Sequence, residues 1–192
     1  HDMIKAGYTG RKGKGGFYRL GAGKEKQALR LNEAAFDEGL YAKADKPTLV
    51  SIDAGREGLK AVVTTDDAGG RYAWAVLKGT LHYAAQLVGE IADTVHDIDE
   101  GMKLGYNWKF GSFEMIDMLG AKWFTEQLRS EGYSIPPILE LLGDGTFYRI
   151  YEGKQQYFGL DGKYHDVVRP DGVLLLRDIK LTAQPVLKNG SA

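Results

Sequence analysis

The hydrophobic period of this chain changes at residues 143–145, and that change constrains its fold more than any other feature. Upstream, Trp74, Leu77, Leu81, Ala84, Ala85, Val88, Ile91, Ala92 and Val95 recur at steps of three and four, which predicts one apolar stripe along a long helix. Downstream, the runs 147–151, 155–160 and 163–168 are aromatic and β-branched with period two, separated by Glu152-Gly153-Lys154 and Asp161-Gly162. Asp-Gly between such runs predicts an antiparallel hairpin. The continuous apolar run 173–176, after Pro170-Asp171-Gly172, predicts a strand covered on both faces. The expected fold class is mainly α: a helical bundle with a β-hairpin-rich C-terminal extension.

Local signals place the other helices. Asp66 and Asp67 precede the long helix, where negative charge suits the positive end of its dipole. Asp97 stands three residues before Glu100, a capping-box-like pair that predicts a second, short helix with Ile98 and Met102 inward and Gly105 at its end. A helix over 111–119 follows, with Phe113, Ile116 and Leu119 on its buried face and Gly120 as its stop. Another covers 121–129 and closes at Gly132. Pro136-Pro137 fits only a first helical turn, which puts Ile138, Leu141 and Leu142 on a last helix before Gly143. Residues 7–23, with seven glycines among Arg11, Lys12, Lys14 and Arg19, read as a tight loop entering a short extended piece. Residues 24–65 read as a connector with one or two short helices, its helical patterning lying around 28–35.

Composition narrows the classes. With 25 basic and 26 acidic side chains, the net charge of −1 gives no electrostatic case for a nucleic-acid or anionic-membrane binder. Zero cysteines exclude a disulfide scaffold, a thiolate metal site and a cysteine nucleophile, and fit a reducing cytoplasm. No apolar stretch approaches the about 20 residues of a membrane helix. His1-Asp2 before Met3 reads as a vector remnant.

Candidate chemistry is sparse. The basic loop Gly10-Arg11-Lys12-Gly13-Lys14-Gly15-Gly16 invites a phosphate, but no strand precedes it and Phe17-Tyr18 follows where a Gly-Lys-Ser/Thr ending and a helix are needed. It reads as structural. His82, His96 and His165 have no second histidine or carboxylate at the spacing of a metal helix or a fixed general base; they read as helix-flank, turn and strand residues. Glu114 and Asp117 share a helix face, which allows acid–base work but is commoner in capping carboxylates. No catalytic, cofactor-binding or metal-binding residue is therefore predicted.

Two segments carry a resemblance. Gly10-Arg11-Lys12 with Gly16-Phe17-Tyr18 resembles the Gly-Arg-Lys-Thr-Gly-x-Gly-Phe-Tyr signature that closes the C-terminal helical domain of 3-hydroxyacyl-CoA dehydrogenases, with Gly13 in place of threonine and Lys14 in place of glycine. The segment 98–120, centred on Gly111-Ser112-Phe113-Glu114-Met115-Ile116-Asp117, is similar to the same family's Gly-Pro-Phe-Glu-(Leu/Met)-x-Asp motif, with Ser112 for proline. The closing signature of one such domain precedes the motif of another, as in β-oxidation multienzymes with two in tandem.

The resemblance implies a division into 3–20 (end of a first helical domain), 21–65 (connector), 66–145 (second helical domain), 146–180 (β-rich extension) and 181–192 (linker to a downstream enoyl-CoA hydratase). It implies a parent that oxidises 3-hydroxyacyl-CoA with NAD through a histidine–glutamate pair in a Rossmann domain absent from these residues. The fragment itself is then inactive and cofactor-free, its partners being other domains of the parent, the parent's acyl-CoA and a further copy in a homo-oligomer, without nucleic acid or membrane insertion. The rival expectation is an independent helical interaction module, without enzymatic activity, that binds a protein through Trp108, Phe110 and Phe113.

Overall fold

The computed structural model describes residues 1–30, 41–44 and 48–183, and the chain divides into two compact units, 1–48 and 49–192. The first unit contains helix α1 (Asp2–Lys5) and an antiparallel sheet of β1 (Tyr18–Leu20), β2 (Lys26–Leu29) and β3 (Tyr41–Lys43), in that order. The glycine-rich stretch is a loop, as its composition predicts. It folds back on itself: the Gly10 N–H donates to the Gly15 carbonyl at 2.7 Å, and the Gly13 N–H to that of Gly10 at 3.0 Å. A Cβ on Gly13 would lie 2.4 Å from Thr9 Oγ1 and 2.8 Å from the Gly7 carbonyl, so this loop has no room for the threonine of the family signature. Where the sequence predicts helix around 28–35, Ala28 and Leu29 lie in β2; residues 31–40 fall outside the described ones. Tertiary pairing overrides the weak local pattern because Leu29 completes a small core with Tyr8 and Tyr41.

The second unit runs through α2 (Val50–Ala54), α3 (Leu59–Thr64), α4 (Ala68–Gln86), α5 (Val95–Tyr106), α6 (Ser112–Leu119), α7 (Ala121–Ser130) and α8 (Pro137–Leu142). An antiparallel sheet of β4 (Tyr148–Tyr151), β5 (Lys154–Phe158) and β6 (Tyr164–Asp166) follows, with β5 central, and then α9 (Leu176–Thr182). The predicted hairpin set is present, with Tyr148 opposite Tyr157 and Tyr157 opposite His165. One core joins helices and sheet: Leu81, Val95, Phe113, Ile116, Leu119, Phe124, Leu128 and Ile138 pack with Phe147 and Phe158. Phe113 meets Phe147 edge to face with ring centroids 4.8 Å apart, so helical and β-rich stretches bury each other's apolar surface. No described helix is long and apolar enough to cross a membrane.

Four predicted details differ. The stripe expected to run to Val95 is split, because α4 ends at Gln86 and Gly89, at φ +83°, turns the chain with its N–H on the Ala92 carbonyl at 2.8 Å. Val88 before the turn and Val95 after it still reach the core, so periodicity alone conceals the break, although Ile91, predicted on the stripe, is 66% exposed. The N-cap of α5 is Thr94, whose hydroxyl accepts the Asp97 N–H at 3.1 Å; Asp97 is inside the helix and His96 lies in its first turn rather than in a loop. That helix passes Gly105 to Tyr106 and closes on Asn107 in the left-handed region. On α8, Leu139 is buried beside Ile138 and Leu142 while Leu141 is exposed.

The fourth difference is the apolar run 173–176, which is not a strand. Leu174 is 82% exposed and Leu176 begins α9. Pro170 cannot donate to a ladder, the Val173 N–H turns back onto the Pro170 carbonyl at 3.0 Å, and Arg169 draws Asp178 into a paired contact.

Candidate functional site: the carboxylates around the motif helix

Helix α6 starts at Gly111, which has no side chain to accept the free N–H groups of its first turn. Asp99 of α5 supplies that acceptor. Its Oδ1 takes the Phe113 N–H at 2.9 Å, and its Oδ2 takes the Glu114 N–H at 3.0 Å and the Tyr148 hydroxyl at 3.0 Å. Asp99 is fully buried. Gly111 permits the approach, since a Cβ there would lie 2.1 Å from the Asp99 Cγ.

Glu114 completes the cap in reciprocal fashion, accepting the Gly111 N–H at 2.9 Å and pairing with Lys103 at 2.8 Å. Asp117, one turn on, accepts the N–H groups of Phe147 at 2.7 Å and Tyr148 at 2.9 Å. Glu114 and Asp117 therefore orient backbone and loops, as capping carboxylates do, although Asp117 is half-buried rather than solvated. Phe113 and Ile116 are fully buried anchors, as their spacing predicts. Ser112 keeps the geometry the motif proline requires: Gly111 lies at φ −76°, ψ 171°, the extended conformation that precedes proline. Its buried hydroxyl has no partner among the described residues. Ser112→Ala is expected to hold or raise stability, by up to about 1 kcal/mol, because it deletes an unsatisfied polar group. A clear drop in the urea midpoint would contradict this.

Burial pushes both Asp99 and Asp117 up to about 6 despite their N–H donors. Glu100 moves the other way: burial raises it, but bonds from Lys103 and Arg177 outweigh that and hold it at about 2. An acid raised in the folded state binds its proton more tightly there than in the unfolded chain, so stability grows as pH falls from neutrality through about 6. Glu100 contributes above the ordinary carboxylate range and loses its contribution as pH falls toward 2. His96, lowered by burial, opposes the carboxylate gain. Comparison with Asp117→Asn isolates the carboxylate. From pH 7 to pH 5, urea unfolding should shift the stability difference between parent chain and variant in favour of the parent; a shift toward the variant would contradict the buried-acid assignment.

The histidines are dispersed. His82 is buried on α4 with its Nε2 2.8 Å from the Ser134 carbonyl. His96 is wedged between the rings of Tyr148 and Tyr157, and its buried Nδ1 has no partner among the described residues. His165 does have a carboxylate, which spacing reasoning missed: Asp161 Oδ1 lies 2.9 Å from its Nε2 across the β5–β6 turn, at the surface. Among the described residues no three His, Cys, Asp or Glu side chains converge as a metal site. The glycine loop leads into β1 rather than into a helix start, so it does not fit a dinucleotide pyrophosphate. Asp99 is the residue whose role sequence reasoning missed; an acid next to the inward Ile98, twelve positions before a capless Gly111-Ser112 start, was the available signal.

Taken together, these contacts define a class: a helical domain whose motif helix is capped in trans by a buried aspartate and tied to a hairpin sheet. Residues 70–135 match the family model described as 3-hydroxyacyl-CoA dehydrogenase, C-terminal domain. The chain is 35% identical over 198 residues to a Bacillus subtilis (strain 168) protein named "Probable 3-hydroxyacyl-CoA dehydrogenase", an alignment covering 100% of the chain and 25% of the relative. It is 27% identical over 179 residues to a Rickettsia felis protein named "Putative fatty acid oxidation complex trifunctional enzyme", covering 92% of the chain and 23% of the relative. The like-named Rickettsia prowazekii protein is 27% identical over 155 residues, 79% of the chain and 20% of the relative. No solved structure matches the chain significantly. Over residues 70–135 the chain is thus similar to the C-terminal domain of 3-hydroxyacyl-CoA dehydrogenases, and it spans a quarter or less of the length of these relatives.

Proposed function

We propose that this chain is a non-catalytic helical segment of a fatty-acid β-oxidation multienzyme whose parent oxidises 3-hydroxyacyl-CoA to 3-oxoacyl-CoA with NAD. On this reading residues 3–20 end a first helical domain and 66–145 form a second, mainly α and bundle-like, that walls the acyl-CoA site or a subunit interface. NAD would belong to another domain of the parent. The observation that carries the reading is that the motif's acids are already engaged: Asp99, Glu114 and Asp117 each hold backbone N–H groups of the fold. A base kept for substrate would instead face an open cavity.

The interaction-module reading has less support, because Phe113 is fully buried and Trp108 packs against the core, which leaves Phe110 alone of the three exposed. The test is calorimetric titration of NAD into the purified 192-residue chain, with a parallel assay on a 3-hydroxyacyl-CoA. Neither binding at micromolar affinity nor turnover is expected. Saturable micromolar binding, or turnover that co-purifies with the chain, would overturn the scaffold role.

A further inference from the structure

Helix α9 is seven residues long and buries none of them. An isolated helix of that length is not stable in water, so its order comes from contacts with the rest of the unit. Apolar packing supplies little: Leu176 is 65% and Ile179 45% exposed, while the methyl of Thr182 lies against Gly153 in the β4–β5 turn.

Charge supplies more. Arg177 donates to both oxygens of Glu100, at 3.2 and 3.4 Å, and Asp178 accepts two bonds from Arg169, at 2.9 and 3.2 Å. Glu100 also holds Lys103 at 2.7 Å, and Lys103 reaches Glu114 at 2.8 Å at the start of α6. A chain of alternating charge therefore runs from α9 through α5 to the motif helix. Its two ends differ. Glu114 keeps both Lys103 and the Gly111 N–H if Arg177 leaves, whereas α9 has no buried side chain to hold it once its ion pairs are lost.

We propose that α9 is an ionic strap: a segment docked on α5 by Arg177–Glu100 and braced on the link after β6 by Arg169–Asp178 that lifts off locally while the remaining helices and sheet stay folded. Partly exposed ion pairs are screened by salt and apolar burial is not, so ionic strength is the lever. Lifting the strap bares Glu100 beside Lys103 on α5 and uncovers the turn at Gly153. The inference does not depend on the dehydrogenase reading.

Hydrogen exchange on the full chain tests it, read at the Ile179 and Ala183 amides, which donate to the Leu175 and Ile179 carbonyls. Raising NaCl from about 0.01 M to 1 M, which shortens the screening length from about 30 Å to about 3 Å, should speed their exchange about tenfold while amides of α4, α6 and α7 stay protected. At low salt, Glu100→Gln and Arg177→Gln should each reproduce the acceleration, and the double variant should add nothing further. Arg177→Lys should restore part of it. For Arg177→Gln the urea midpoint of the tryptophan signal should not move, since Trp74 and Trp123 lie in α4 and α7 and Trp108 packs against the core. Salt-independent exchange at α9, or opening of α9 only with global unfolding, would overturn the strap.

Discussion

Phe113→Ala is expected to lower the unfolding free energy by about 3–5 kcal/mol, the range for deleting a buried ring and leaving a cavity. The ring is fully buried on α6 and packs edge to face with Phe147, so truncation removes a contact on the helical side and one on the β-rich side together. A domain of this size has a total stability of the order of 5–15 kcal/mol, and the variant should be marginal at 37 °C. Asp117→Asn should cost less, because the amide oxygen keeps one of the two N–H groups of Phe147 and Tyr148 and no cavity is left, although its NH2 then faces the other donor. Urea unfolding of the two variants ranks them; the reverse order would make Asp117 the critical group and remove Phe113 as the anchor.

Gly111→Ala is expected to cost about 2–4 kcal/mol, by overpacking and by displacing a carboxylate from the donors it serves. The added methyl would stand 2.1 Å from Asp99 Cγ, and the carboxylate cannot retreat without releasing Phe113 N–H, Glu114 N–H and the Tyr148 hydroxyl. The helix start would then lose its cap with no side chain at Gly111 to replace it. Asp99→Gly removes the obstacle as well as the cap, since the added methyl would also stand 2.3 Å from the Asp99 Cβ. In combination the two substitutions should therefore cost little more than Asp99→Gly alone, and strict additivity in a double-mutant cycle would show that they do not act on one contact.

What the sequence makes legible here is periodic or punctuated. The motif helix, its stop at Gly120 and the hairpins flanking Glu152-Gly153 and Asp161-Gly162 follow from hydrophobic period and turn residues that agree with the tertiary packing. The break at Gly89 does not, because Val95 beyond the turn still points into the same core. The run 173–176 misleads for the opposite reason: it is apolar enough for a buried strand, yet Pro170 and the Arg169–Asp178 pair direct it into a turn and a helix. β2 and β3 are likewise set by a partner distant in sequence, Tyr8, rather than by local preference.

The site shows the same division. Glu114 and Asp117 are identifiable as capping-type acids because their helix is periodic, but the acceptor that completes the cap sits on another helix, and only the fold brings Asp99 to Gly111. The Asp161–His165 pair is hidden because a strand reading sets residues four apart well beyond contact, and only the β5–β6 turn brings them together. The segment 111–117 is thus a set of joints. Gly111 admits Asp99, Phe113 fills the core, Glu114 closes the cap and Asp117 holds the first residues of the sheet.

These joints are expected to make helices and hairpin sheet one cooperative unit, although the family match itself ends at residue 135. Native-state hydrogen exchange across low denaturant concentrations measures this directly. The amides of Phe147 and Tyr148, bonded to Asp117, and that of Phe158, bonded to the Phe147 carbonyl, should open with the same free energy and denaturant dependence as amides within α6 and α7. Exchange of those three through a separate, lower-energy opening, with α6 and α7 still protected, would contradict it.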